Sequence, residues 1–134
     1  MNIQNRLLIA IALLALGIAG AGGAWAQIAA PKVGLDEMRR ALISGGTKVI
    51  DIREPDEHAV GVAKGVSLIP LSTLSKRLGE LPKPTDPVFY VVCHTQNRSS
   101  RVVEQLQQMG YKNAQYVHGG MSEWKARGLP TVIP

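Results

Sequence analysis

The chain has 134 residues, room for one domain of ordinary size. Its net charge is +5 and aromatic residues make up 4% of it; the basic residues (Arg39-Arg40, Lys76-Arg77, Lys125, Arg127) are scattered among acids, which argues against nucleic acid as a partner. Cys93 is the only cysteine, so an internal disulfide is excluded, and no Cys/His group has the spacing of a metal site, so no metal is expected.

In chain order, Met1–Arg6 is polar and carries Arg6, Leu7–Ala19 is apolar apart from Gly17, and Gly20–Ala26 is small and ends Ala24-Trp25-Ala26. A charged start, an apolar stretch and an A-x-A site predict a secretory signal peptide over residues 1–26, cleaved after Ala26, and an exported, periplasmic product. The alternative is a membrane anchor over residues 7–26, an uncharged run near the ~20 residues that span a bilayer. The glycines of its second half favour cleavage. Residues 27–33 read as a linker and residues 34–134 as the domain. Losing Arg6 lowers the net charge to +4, a mild attraction for anionic small molecules.

Leu35–Ile43 has Leu35, Met38, Leu42 and Ile43 at helical spacing, stopped by Gly45-Gly46. Thr47–Ile52 is short and β-branched and predicts a buried strand. Glu54–Gly61 is a loop or short helix, Val66–Ile69 a second strand closed by Pro70. Ser72 or Thr73 should cap a helix through about Leu81, which Pro82–Pro87 ends. Val88–Val92 is apolar throughout, as in a central parallel strand covered on both faces. Ser99–Met109 is helical in spacing, with Val102, Val103, Leu106 and Met109, and Gly110 ends it. Ala114–Val117 is a short strand, and Gly119–Arg127 a short helix with Trp124 inward. Strands alternating with helices predict a single α/β domain with a mainly parallel central sheet flanked by helices.

Cys93 falls immediately after the most apolar strand, where ligands collect in parallel α/β sheets. A helix beginning near Ser99 aims free N–H groups at the intervening loop, and Arg98 adds a positive charge; both favour a thiolate nucleophile. By residue type alone, a buried cysteine acting as a small hydrophobe remains the competing reading.

The stretch "CHTQNRS" resembles the active-site loop of rhodaneses, sulfurtransferases whose small members often read C-x-x-G-x-R-S. "DIREPDE" resembles the family's D-x-R-x-x-x-E at Asp51, Arg53 and Glu57. "GVAKGVSLIPL" resembles G-H-I-x-G-A-x-x-I-P, and "GGMSEWKARGLP" resembles the closing segment, with Gly119, Gly120 and Trp124 in place. Gln96 stands where many members have glycine, Val62 replaces a common histidine, and Ala63 and Val66 are unusual. The resemblance implies a rhodanese-like fold and Cys93 as the nucleophile that carries a persulfide. It implies a substrate loop of His94, Thr95, Gln96, Asn97, Arg98 and Ser99, with Asp51 and Arg53 as a pair supporting the loop. His94 is not needed as a base where loop N–H groups activate the sulfur, and His58 and His118 read as ordinary surface or loop residues.

The implied reaction moves a sulfane sulfur from thiosulfate or a similar donor to cyanide or a thiol. It needs no cofactor beyond the persulfide. The expected partners are a small-molecule donor and acceptor, with a membrane only if the N-terminus is retained, and the expected state is a monomer. Phosphatases that share the fold carry five residues between cysteine and arginine; here there are four, His94 to Asn97, a ring better suited to one sulfur atom. A non-catalytic binding or sensing module is the alternative, and such modules often lack the cysteine.

Overall fold

Among the described residues the chain forms five short strands: β1 (Lys32–Val33), β2 (Val49–Asp51), β3 (Ser67–Leu68), β4 (Phe89–Val92) and β5 (Ala114–Val117). The computed structural model describes residues 29–134, so the expected signal peptide lies outside the described residues. The strands form one sheet in the order β1-β5-β4-β2-β3, and every neighbouring pair is parallel. Parallel neighbours require crossovers, which the intervening helices supply. These are α1 (Leu35–Ser44), α2 (Pro55–Ala59), α3 (Leu71–Leu74), α4 (Asn97–Gln108) and α5 (Gly120–Ala126). Among the described residues no helix is long and apolar enough to cross a membrane.

Strand alternation divides the core into two layers. Phe89, Val91 and Cys93 face one side of the sheet with Ile50 and Ile52, and are covered by Leu74 and by Val102, Val103 and Leu106 of α4. Tyr90 and Val92 face the other side with Val49 and Val117, under Leu35, Met38 and Ala41 of α1 and Met121 and Trp124 of α5. The all-apolar β4 is buried at every residue because both faces are covered. Cys93 keeps the odd-numbered register of β4 one step past its end, and this puts its sulfur on the α4 side.

Besides shifts of one or two residues at other element ends, three features differ from the sequence expectation. Lys32–Val33, within the segment read as linker, is an edge strand in register with Tyr116 and Val117 of β5. Two residues carry no periodic signal, and only the partner strand makes them a strand. The helix expected from Ser72 to Leu81 breaks into α3 and a 3-10 turn at Leu78–Glu80, because the chain tightens to i→i−3 bonds at Glu80 and Leu81. Ser72 caps no helix of its own; its N–H and hydroxyl both donate to Glu54. Helix α4 begins at Asn97, two residues before the expected start, which shortens the loop after Cys93.

Candidate active site

Cys93 follows the carboxyl end of β4 and is 1% exposed. Its Sγ lies 3.3 Å from Ser99 Oγ and accepts from the Ser99 N–H at 3.4 Å. The Ser99 hydroxyl bonds the Gln96 carbonyl at 3.3 Å, and a hydroxyl can rotate to donate to a thiolate instead. Ser99 is fully buried beneath the loop. The Asn97 N–H reaches Thr95 Oγ1 at 3.4 Å. Among the described residues the N–H groups of His94, Thr95, Gln96 and Arg98 find no acceptor. Unpaired donors in one tight turn at a helix start form a receptor for negative charge. The His94 side chain is exposed.

The start of α5 holds this loop from behind. Met121 N–H donates to the Cys93 carbonyl (2.9 Å) and Ser122 N–H to that of His94 (2.7 Å), so the loop carbonyls are turned away from the sulfur side. Gly120 has φ +58°, and a Cβ there would lie 2.6 Å from the Cys93 and His94 carbonyl oxygens and closer still to that of Thr95. Only glycine fits. Gln96 has φ −148°, outside the left-handed region that favours glycine, so the position does not require one. Its Oε1 accepts from the Gly119 N–H at 3.3 Å, a second tie between the loop and α5.

Asp51 and Arg53 leave the end of β2 beside β4 and form the expected pair. Arg53 Nη2 meets Asp51 Oδ2 at 2.7 Å, Nε reaches both carboxylate oxygens at 3.1 Å, and the side chains are 2% and 0% exposed. Arg53 Nη2 also donates to the Gly61 carbonyl at 3.0 Å. The structure corrects the reading of His58: it is buried at 5% exposure, with Nε2 3.4 Å from Asp51 Oδ1 but without hydrogen-bond geometry. It lies on α2, whose turn brings it under the Asp51–Arg53 pair. A histidine next to charged residues in a short polar segment carries no burial signal. His118 is exposed, as expected.

Arg98 carries the expectation of a role in anion binding or loop geometry, and its guanidinium has a partner of its own. It is paired bidentately with Glu57 of α2, Nη1 to Oε2 and Nη2 to Oε1, both at 2.7 Å. That hydrogen bonding holds the Glu57 carboxyl well below the usual carboxylate range, at about 2, and raises Arg98 above its ordinary value. Glu57 Oε2 also accepts the Glu54 N–H at 2.9 Å. The sequence had marked Glu57 as a motif position and given it no role. No Asp/Glu/His/Cys group among the described residues is arranged to hold a metal.

The sequence matches the family model of the rhodanese-like domain over residues 34–127. It is 30% identical over 107 residues to a human thiosulfate:glutathione sulfurtransferase, covering 71% of this chain and 93% of the relative. It is 35% identical over 86 residues to a sulfurtransferase of Allochromatium vinosum, covering 64% and 78%. Of an uncharacterized Synechocystis protein, 32% identical over 84 residues, it spans 46%. The fold superposes on the crystal structure of a rhodanese-related protein from Thermoplasma volcanium with a TM-score of 0.68 at 30% identity, over 78% of this chain and 99% of that one. The matched stretch contains β2 to β5, the cysteine loop and the helix that braces it, and on that ground the chain belongs to the rhodanese-like domain family, with sulfurtransferases among its relatives.

Proposed function

We propose that this protein transfers a sulfane sulfur from thiosulfate or a similar donor to a thiophilic acceptor through a persulfide on Cys93. The observation that carries the reading is the sulfur of Cys93 at the end of the central strand, bonded by Ser99 and set in a loop where the N–H groups of His94, Thr95, Gln96 and Arg98 are unpaired. The Cys93 thiolate attacks the outer sulfur of thiosulfate, an S–S bond forms, and the donor's own S–S bond breaks with its electron pair leaving on sulfite. Cys93 then carries a persulfide anion, and charge is conserved. A thiolate or cyanide attacks the terminal sulfur and leaves as a persulfide or thiocyanate, restoring the thiolate. The loop N–H groups and the start of α4 favour negative charge on either sulfur, so the site needs little rearrangement between the two steps. Export after cleavage at Ala26 is part of the same proposal, on the sequence pattern of residues 1–26.

Incubation with thiosulfate followed by intact mass should show the gain of one sulfur, removed by cyanide or a thiol. Cys93→Ser should gain none while folding normally. Sulfur uptake by the serine variant would overturn the assignment, and no uptake by the wild type would favour a binding module. The same spectrum reads whether residues 1–26 are present in the native protein.

A further inference from the structure

The one cation in the cysteine loop is not free. Arg98 sits on the first turn of α4, immediately before Ser99, and Glu57 holds it by two bonds of 2.7 Å across a sequence separation of 41 residues. Glu57 is itself fixed: it accepts the Glu54 N–H, and its own carbonyl lies 3.4 Å from Arg53 Nη1. Glu54 is held by Ser72. The charged side chains of this network are the guanidiniums of Arg53 and Arg98 against the carboxylates of Asp51, Glu54 and Glu57. Glu57 and Glu54 both act electrostatically on Arg98, and so does Cys93. A guanidinium held face to face by a carboxylate presents a dipole to an incoming anion, not a net charge, and the third carboxylate tips the balance negative.

We propose that Glu57 is a specificity-determining residue: by holding Arg98 it makes the mouth of the Cys93 loop electrically neutral or slightly negative, and so favours singly charged sulfane donors over the thiosulfate dianion. This rests on persulfide chemistry at Cys93 and goes beyond it, because that chemistry fixes which atom is transferred and not which donor charge is preferred. Recognition is left to loop N–H groups aimed at the transferred sulfur, which every sulfane donor shares. Thiosulfate and methanethiosulfonate are the probes: they differ by one charge and little in size. Both give the same persulfide, the electron pair leaving on sulfite or on methanesulfinate.

The test measures KM and kcat for both donors, with cyanide as acceptor, in the wild type, Glu57→Gln and Glu57→Asp. Removing the negative charge that pairs with Arg98 should lower KM for the monoanion about threefold and for the dianion about tenfold, since the energy scales with donor charge. The ratio of the two KM values therefore falls about threefold in Glu57→Gln, kcat changes little, and Glu57→Asp keeps the wild-type ratio. Both KM values moving by one factor, or both rising, would overturn the proposal by showing that Glu57 acts only on structure. Should Glu57→Gln fail to fold, the wild type decides by salt: the KM ratio should change less than about twofold between 20 and 200 mM salt, and a thiosulfate KM rising more steeply than the monoanion's refutes a neutral mouth. Intact mass separates the two ideas. No persulfide with either donor in the wild type sinks the Cys93 reading, whereas persulfide with both donors and an unchanged ratio in Glu57→Gln sinks Glu57 alone.

Discussion

Replacing Gly120 by alanine should damage the cysteine loop more than any other single methyl group added at a glycine turn. Gly120 sits at φ +58° with three loop carbonyls, those of Cys93, His94 and Thr95, crowding the position a Cβ would take. An alanine there loses about 1–2 kcal/mol to the left-handed conformation alone. The new methyl group also cannot coexist with carbonyl oxygens 2.6 Å away, and these are backbone atoms with no rotamer to change. Moving them breaks the bonds from Met121 to Cys93 and from Ser122 to His94, each contributing about 0.5–1.5 kcal/mol. The total is about 2–5 kcal/mol, a large share of the stability of a small domain. Gly128 provides the control: its φ is +68° and its Cβ would meet nothing within 4 Å, so Gly128→Ala should lose only the conformational part, about 1–2 kcal/mol. Urea denaturation of both variants measures the difference, and alkylation of Cys93 in the folded state reports the loop. Gly120→Ala within about 0.5 kcal/mol of Gly128→Ala would show that the loop yields freely, and the bracing attributed to α5 would be wrong.

Asp51→Asn should destabilise the fold by about 3–5 kcal/mol in chemical denaturation, because it leaves the fully buried Arg53 guanidinium without its counter-charge; a loss under 1 kcal/mol would mean that the Gly61 carbonyl and the chain around it suffice. Glu57 makes stability depend on acid. Its carboxyl is lowered from 4.5 to about 2 in the fold, so its contribution is complete above 4.5 and is lost as pH falls toward 2. Urea midpoints of wild type and Glu57→Gln should therefore differ at pH 7 by an energy on the order of 1 kcal/mol after solvent screening, and converge near pH 2. A constant gap across that range would show that the pair with Arg98 does not form in solution.

The periodic features of the fold were legible residue by residue. "VFYVV" reads as a central strand because only a strand covered on both faces is apolar at every position; parity groups Cys93 with Phe89 and Val91, and the packing of the fold puts α4 over that face. Val102, Val103 and Leu106 announce that helix because burial on one side repeats about every 3.6 residues. The single cysteine between the two, with "DIREPDE" and "GGMSEW" in order around it, carried the family. The network of charges around the site was not legible. Arg98 and Glu57 are distant in the chain, and either would read as a solvated charge; it is the parallel register of β2 against β4 that brings α2 beside the loop. The same register buries His58 under Asp51, and pairing with β5 turns Lys32–Val33 from a connector into a strand. Gly120 was visible as a glycine, but its necessity comes from three carbonyls that only the folded loop brings to it. Local sequence determines what one stretch of backbone does with its own side chains. Contacts between stretches far apart in the chain depend on how the sheet orders them, and in this protein those contacts fix the charge at the mouth of the Cys93 loop.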